Sequence, residues 1–180
     1  MTVFFTADTH FSSERALEHS KRPFASPEIM NNILIDNWNS LITNDDIVFH
    51  LGDFGDFSIA EKLHGKIYLV PGNHERVNPD FINYHDCFTK VLPDISSTIL
   101  NDNTGEIYHI MMAHEPSKLR PYRIDYNDIN LFGHLHKLCM VKPYGINVGV
   151  DCHNFKPITL ETVLFYHNQI FTYFDDEVFN

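Results

Sequence analysis

Thr2-Val3-Phe4-Phe5-Thr6-Ala7-Asp8-Thr9-His10 opens the chain as a largely apolar run that stops at two potential metal ligands. Working outward, the same pattern returns four times. Ile47-Val48-Phe49-His50-Leu51 stops at Gly52-Asp53, and Ile67-Tyr68-Leu69-Val70 stops at Pro71-Gly72-Asn73-His74-Glu75. Ile110-Met111-Met112-Ala113 stops at His114, and Ile129-Asn130-Leu131-Phe132 stops at Gly133-His134-Leu135-His136. Short runs rich in Val, Ile and Phe, bounded by Gly or Pro, read as buried strands. Placed side by side in a sheet, such strands gather their carboxyl ends at one edge, where the Asp, Asn and His side chains would converge.

Between the first two runs, Ser26-Pro27-Glu28 has the form of an N-cap with Pro at the first helical position. Ile29, Ile33, Trp38, Leu41 and Ile42 follow at near-helical spacing, so an amphipathic helix is expected there. Ser58-Ile59-Ala60-Glu61 reads as a capping box opening a short helix that ends near His64-Gly65. Strand, helix, strand, helix, strand argues for a layered α/β fold. The second half reads as strands over 88–92, 97–100 and 106–113, with a hairpin turn over 101–105. Ile146 to Val150 and Gln169 to Phe174 also read as strand-like. A two-sheet core flanked by helices accommodates both halves. The longest irregular piece runs from Glu115 to Asp128, the kind of loop that forms binding surfaces.

One domain spanning 1–180 is expected, since 43% apolar content suffices for one substantial core. With 13 Lys and Arg against 24 Asp and Glu, the formal charge is −11, which excludes holding long nucleic acid by phosphate neutralisation. Short single strands stay open as ligands. Cys87, Cys139 and Cys152 are too few and too irregular for a disulfide framework, which suits a reducing compartment. No apolar run nears the roughly 18 residues of a membrane span, so a cytoplasmic location without membrane association is the expectation.

Each motif alone is weak: an Asp-x-His after a strand is often turn chemistry, and two alternating histidines can share a solvated face. Five such elements in one chain, each ending an apolar run, point instead to a centre for two divalent ions. Such a pair, about 3.5–4 Å apart, needs a bridging carboxylate, several nitrogen or oxygen ligands and open positions. Asp8, His10 and His136 would hold one ion and Asn73, His114 and His134 the other, with Asp53 between them. The mixed donors favour Mn, Fe, Zn, Ni or Co. His74 would protonate a leaving oxygen, with Glu75 orienting its ring. His50 reads as a hydrogen-bonded residue behind the ligands. His19, His64, His85, His109 and His167 read as solvated, and His153 as a bystander. Arg76, Arg120 and Arg123 are candidates for contacting a substrate phosphate, while Lys118 reads as solvated.

Asp8-Thr9-His10, Gly52-Asp53, Gly72-Asn73-His74-Glu75, His114 and Gly133-His134-Leu135-His136 resemble, in order, the motif set of the calcineurin-like metallophosphoesterases. Ile146 to Asp151 and Phe155-Lys156-Pro157-Ile158 are similar to small bacterial and phage members. The resemblance implies a four-layer α/β/β/α sandwich with a dinuclear metal site. It also implies in-line attack on phosphorus by a metal-bridging hydroxide, with His74 assisting the leaving group. Glu75 departs from the pattern, where Asp is more usual. The expected substrate is a small phosphorylated molecule or nucleotide, with a lean toward diesters because no cap domain is evident. The rivals are a phosphomonoesterase, a nuclease on short single strands, and a scaffold that binds a protein partner without catalysis. The sequence leaves the oligomeric state unknown.

Overall fold

The computed structural model describes residues 1–119 and 125–173. In chain order these form β1 (Val3–Thr6), α1 (Glu14–Ser20), α2 (Pro27–Asn39), β2 (Ile47–His50), β3 (Lys66–Leu69), α3 (Asn73–Val77) and β4 (Lys90–Val91). There follow β5 (Ile95–Asn101), β6 (Ile107–Ala113), β7 (Asp128–Phe132), β8 (Val141–Lys142), β9 (Gly145–Asn147), β10 (Ile158–Thr159) and α4 (Leu160–Tyr173).

Two mixed five-stranded sheets, flanked by helices, result, with strand orders β10-β1-β2-β3-β4 and β5-β6-β7-β9-β8. In the first, β1 to β4 are parallel and β10 is an antiparallel edge. Its register aligns Thr6 with His50 and His50 with Leu69, so the loops carrying Asp8, Asp53 and Asn73 leave one sheet edge together. In the second, β6 and β7 are parallel, with Met112 paired to Leu131, which brings His114 and His134 to a common end. An isolated parallel bridge between Ala7 and Gly149, with Val150 N–H donating to the Ala7 carbonyl at 3.0 Å, ties the two sheets at that edge.

Alternation in the strands divides the core in two. Phe4, Val48, Ile67 and Leu69 turn to one face of the first sheet, where Met30, Leu34, Trp38 and Ile42 cover them. Phe5, Phe49, Leu51 and Val70 turn to the other, against Tyr108, Ile110, Met112, Ile129, Leu131 and Ile146 of the second sheet. Burying an aliphatic or aromatic side chain of this size stabilises by roughly 1.5–3 kcal/mol each, so these two layers hold the sandwich together. Ser26 caps α2 as expected, its hydroxyl accepting from Ile29 N–H at 3.3 Å with Pro27 next in line. The Trp38 indole closes the same layer by donating to the His64 carbonyl at 2.8 Å.

Three expectations are corrected. The segment Gln169 to Phe174 was expected to be strand-like, yet residues up to Tyr173 belong to the helix α4; Phe174 lies outside the described residues. The helical period is carried by Val163, His167 and Ile170, whose spacing of four and three residues turns one stripe inward; packing of that stripe outweighs the β propensity of the run. His167, expected to be solvated, sits in this stripe at 3% exposure and bonds through Nε2 to the Tyr126 carbonyl at 2.6 Å. Residues Phe57–Lys62 form a 3-10 turn, and the cap is Asp56, not Ser58: its Oδ1 accepts from the Ser58 N–H at 3.1 Å. A carboxylate two residues earlier competes successfully for the free amide.

The hairpin turn is found where expected. Asp102 Oδ1 accepts from the N–H groups of Thr104 and Glu106, and Gly105 takes the left-handed φ of 90°. Among the described residues, no helix is long and apolar enough to cross a membrane.

Candidate metal centre

The loops that follow β1 and β2 interlock before any side chain is considered. Asp8 N–H donates to the Gly52 carbonyl, His10 N–H to that of Asp53 and Phe11 N–H to that of Phe54, all at 2.9–3.0 Å. This short ladder continues the parallel sheet past its last strand residues in a left-handed form. Asp8 (φ 57°), His10 (φ 49°), Asp53 (φ 57°), His134 (φ 69°) and His136 (φ 46°) all lie in the left-handed region. L-residues enter it at a cost of about 1–2 kcal/mol each, and such conformations persist where surrounding bonds enforce them. Here the enforced turns aim alternate side chains into one space. Gly52 (φ 86°) is where the strand must turn away, and a Cβ there would lie 2.4 Å from Gly72 N. At Gly133 a Cβ would lie 2.8 Å from Asp8 Oδ2, so the backbone passes close enough for His134 N–H to donate to that carboxylate at 2.9 Å.

Three overlapping clusters result, each with ligand atoms within 4.8 Å of one another: Asp8, His10 and His136; His10, Asp53 and His74; Asp53, His114 and His134. Asp53 Oδ2 stands between the outer sets, 3.6 Å from His10 Nε2 and 3.3 Å from His114 Nε2. Asn73 joins the second set, its Oδ1 lying 3.0 Å from His114 Nε2 and 3.1 Å from His134 Nδ1. The seven residues singled out as ligands from the sequence are therefore brought together, and the two sets share Asp53.

The imidazoles are held so that one nitrogen faces the centre. His114 Nδ1 bonds the Leu51 carbonyl at 2.7 Å, and His136 Nδ1 bonds Asp151 Oδ2 at 2.7 Å, leaving each Nε2 for the centre. This is the arrangement by which a metal-binding histidine is fixed in tautomer and direction. His10 Nε2 is buried and has no hydrogen-bond partner, an orphan that an electron-pair acceptor such as a cation would satisfy. By donor type and placement, the residues fit a pair of first-row divalent ions.

Electrostatics point the same way. Burial raises the Asp8 carboxyl to about 6 and lowers the His10 imidazole to about 3. For Asp53, burial acts upward, but the bond and charge of His114 outweigh it and hold the carboxyl well below the usual range. For His114, burial acts downward, while Asp53 and Asp8 outweigh it and raise the imidazole to about 9. The two shifts are opposite in sign because each group favours the other's charged form, and a cation held between them would take the place of a proton on His114. Burial lowers His134, whereas Asp151 and Asp8 overcome burial to raise His136.

Behind the ligands lies a supporting set that the sequence reading passed over. Arg22, with a fully buried side chain, forks onto Asp151 through Nε at 2.9 Å and Nη2 at 2.8 Å. It also donates to the carbonyls of Thr9 and Asp8 at 2.8 and 2.5 Å, clamping the first left-handed turn. Asn147 donates to the carbonyls of His136 and Cys139, fixing the turn that carries His136. No periodicity around Lys21-Arg22-Pro23 marks Arg22; only the chain's return at Asp151 gives it a partner. His50 is fully buried and shares a hydrogen with Thr9 Oγ1 at 2.9 Å, as expected for a residue behind the ligands. His153 is turned away, bonding the Asn147 carbonyl at 2.7 Å.

His74 is half exposed, with Nε2 3.8 Å from Asp53 Oδ2 and its ring edge-on to His10 at 5.0 Å between centroids. Glu75, expected to orient that ring, does not reach it. Both Glu75 carboxylate oxygens accept backbone N–H groups instead, from Asp53 and Phe54 at 2.8 Å and from Gly72 at 2.7 Å. Its position three residues into the Gly72 turn points the side chain back toward the strand ends. The guanidinium of Arg76 is engaged by Glu115, by Asp94 at 3.5 Å and by the Pro71 carbonyl at 3.0 Å. Arg120 and Arg123 lie outside the described residues.

Comparison with known proteins agrees with this geometry. The uncharacterized protein MJ1445 of Methanocaldococcus jannaschii is 27% identical over 179 residues, covering 90% of this chain and 89% of that protein. A crystal structure of AQ665 from Aquifex aeolicus, a protein of unknown function, superposes with a TM-score of 0.68 over 92% of this chain and 98% of that one, at 21% identity, a likeness of fold. Residues 1–150 match the model of the calcineurin-like phosphoesterase superfamily domain. With the shared Asp53 between two imidazole sets and that match across the segment holding every one of these ligands, the chain belongs to the calcineurin-like phosphoesterase superfamily.

Proposed function

We propose that this protein is a dinuclear metal-dependent hydrolase of P–O ester bonds in a small phosphorylated molecule, with a preference for diesters. The observation that carries the reading is Asp53 Oδ2, placed between His10 on one side and His114 on the other, with Asp8 and His136 beside the first and Asn73 and His134 beside the second. In this reading Asp8, His10 and His136 hold one ion, Asn73, His114 and His134 the other, and Asp53 both. Divalent ions bound there lower the pKa of coordinated water toward about 7 and offset charge on the phosphoryl oxygens. The chain's own residues supply the remainder. Arg22, Asp151 and Glu75 fix the ligand turns, so no reorganisation is needed as charge develops. His74, at the open rim, delivers a proton from its ring to the leaving oxygen. The water oxygen adds to phosphorus, the ester P–O bond breaks, and the alcohol leaves protonated.

The lean to diesters rests on openness. His74 and His134 are exposed and, among the described residues, no cap covers them, so a substrate can extend on two sides. Hydrolysis of bis(4-nitrophenyl) phosphate and 4-nitrophenyl phosphate with Mn, each with a chelator control, tests the proposal. Chelator-sensitive turnover favouring the diester is expected. Monoester preference reverses the lean, and no metal-dependent turnover of either ends the hydrolase reading. Among the rivals, a nuclease is confined to short single strands, because the −11 formal charge disfavours holding a long duplex.

A further inference from the structure

A cavity of about 240 Å³ adjoins the metal centre on the His74 side. His10, His74 and His136 form its inner wall, and α1 forms the outer wall with Arg15, Ala16 and His19. Among the described residues no carboxylate lines it, in a chain with 24 Asp and Glu. Arg15 and His19 stand one helical turn apart and share a face of α1. Arg15 is exposed and makes no hydrogen bond or ion pair among the described residues, although Glu14 and Glu18 flank it on the same helix. The contrast with the other arginines of this region is chemical. Arg22 is consumed by Asp151 and two carbonyls, and Arg76 by Glu115 and Asp94. Arg15 alone of these three keeps its fork free beside the centre.

From this we infer that the cavity seats a leaving group bearing its own phosphate, which Arg15 recognises. The inference rests on the proposed phosphoryl chemistry at the centre. The leaving alcohol departs on the side of the residue that protonates it, and His74 forms part of this wall. A free guanidinium offers two parallel donors that match a phosphate, and the absence of carboxylates from the walls removes the competing partner. Volume narrows the class. At about 240 Å³ the space lies below the roughly 300–1,000 Å³ of pockets for drug-sized ligands, so a phosphorylated chain of a few carbons is the size of group it seats. The substrate class is thus a compact organic molecule carrying two phosphoryl groups a few bonds apart, one at the metals and one at Arg15.

Calorimetric titration of the Mn-loaded protein with two probes that cannot be hydrolysed tests this without turnover. Propylphosphonate presents one phosphoryl-like group, and propane-1,3-bisphosphonate presents two. The expected result is a preference of tenfold or more for the bisphosphonate, abolished in Arg15→Ala and partly kept in Arg15→Lys, with propylphosphonate affinity changed less than twofold. Equal affinities in the unmodified protein, an equal loss for both probes in Arg15→Ala, or binding of neither probe overturns the inference. Failure of the hydrolase reading is separately visible as absent chelator-sensitive turnover of the nitrophenyl esters, and the affinity comparison is decided either way.

Discussion

Replacing Arg22 by Met keeps the length and apolar stem of the side chain while deleting its three nitrogens. Five bonds vanish: two to Asp151, at 2.9 and 2.8 Å, one each to the carbonyls of Thr9 and Asp8, and a weaker one to the Met30 sulfur at 3.4 Å. The side chains of Arg22 and Asp151 are 0% and 2% exposed, so the substitution leaves the Asp151 carboxylate out of water, without its guanidinium and with only His136 Nδ1, at 2.7 Å, as a side-chain partner. Breaking a buried pair in this way costs about 3–5 kcal/mol, much of it the penalty of the orphaned charge. Against a total of roughly 5–15 kcal/mol, that is a large share. At about 2–4 °C per kcal/mol for a chain of this size, Tm falls by roughly 6–20 °C. Because the loss is mainly the stranded partner, Arg22→Met combined with Asp151→Leu should cost less than the two single changes added, by about 0.5–3 kcal/mol. Urea unfolding of the four proteins measures the cycle. Alongside it, Mn affinity should drop about 10–100-fold in Arg22→Met, since the turn bearing Asp8 and His10 loses its clamp. A stability loss under about 1 kcal/mol, or strict additivity, would refute the claim that this ion pair holds the ligand turns.

The other predictions touch different links. Asp53→Ala removes the carboxylate shared by both ligand sets, so metal content of the purified protein should fall from two per chain toward none; a count near two contradicts the assignment. His74→Ala should retain its metals and slow hydrolysis of a phenyl ester far more than that of a 4-nitrophenyl ester, because the poorer leaving group needs the proton more; equal slowing argues against a general acid. Asp46 is held at about 2 by hydrogen bonds from the Thr43 backbone, the Thr2 backbone and the Thr43 hydroxyl, below its ordinary 3.8. A depressed carboxyl gives stability that is present above about pH 4 and is lost as pH falls through about 2. Asp46→Ala should therefore cost about 1–2 kcal/mol at neutral pH. Its unfolding midpoint should change less than the parent's between pH 4 and pH 2, and parallel curves would deny Asp46 that role.

Much of the fold was legible because strand ends announce themselves locally. Apolar runs halted by Gly or Pro gave β2, β3 and β7, runs halted by Asp8 and His114 gave β1 and β6, and Ser26-Pro27 gave the start of α2. Where local signals conflict with packing, packing prevailed. The run Gln169-Ile170-Phe171-Thr172-Tyr173 is rich in strand formers, yet α4 turns Val163, His167 and Ile170 inward. Glu75 shows the same limit at the site. Its neighbour in sequence is His74, but its bonds go to Asp53, Phe54 and Gly72, across the turn.

By itself the sequence determined which residue types end which strands, and hence the donor set of two carboxylates, one amide and four imidazoles. That much follows from short-range chemistry, since a strand's length and stop are written within a few residues. Only the tertiary structure decided how those donors are aimed and supported. The left-handed turns at Asp8, His10, Asp53, His134 and His136 exist because backbone bonds between distant loops enforce them. Arg22 meets Asp151 across 129 positions, and Arg15 keeps a free fork because of what surrounds it in space. Orientation and electrostatic environment are sums over neighbours that chain order does not specify, so the candidate donors could be read in advance and their setting could not.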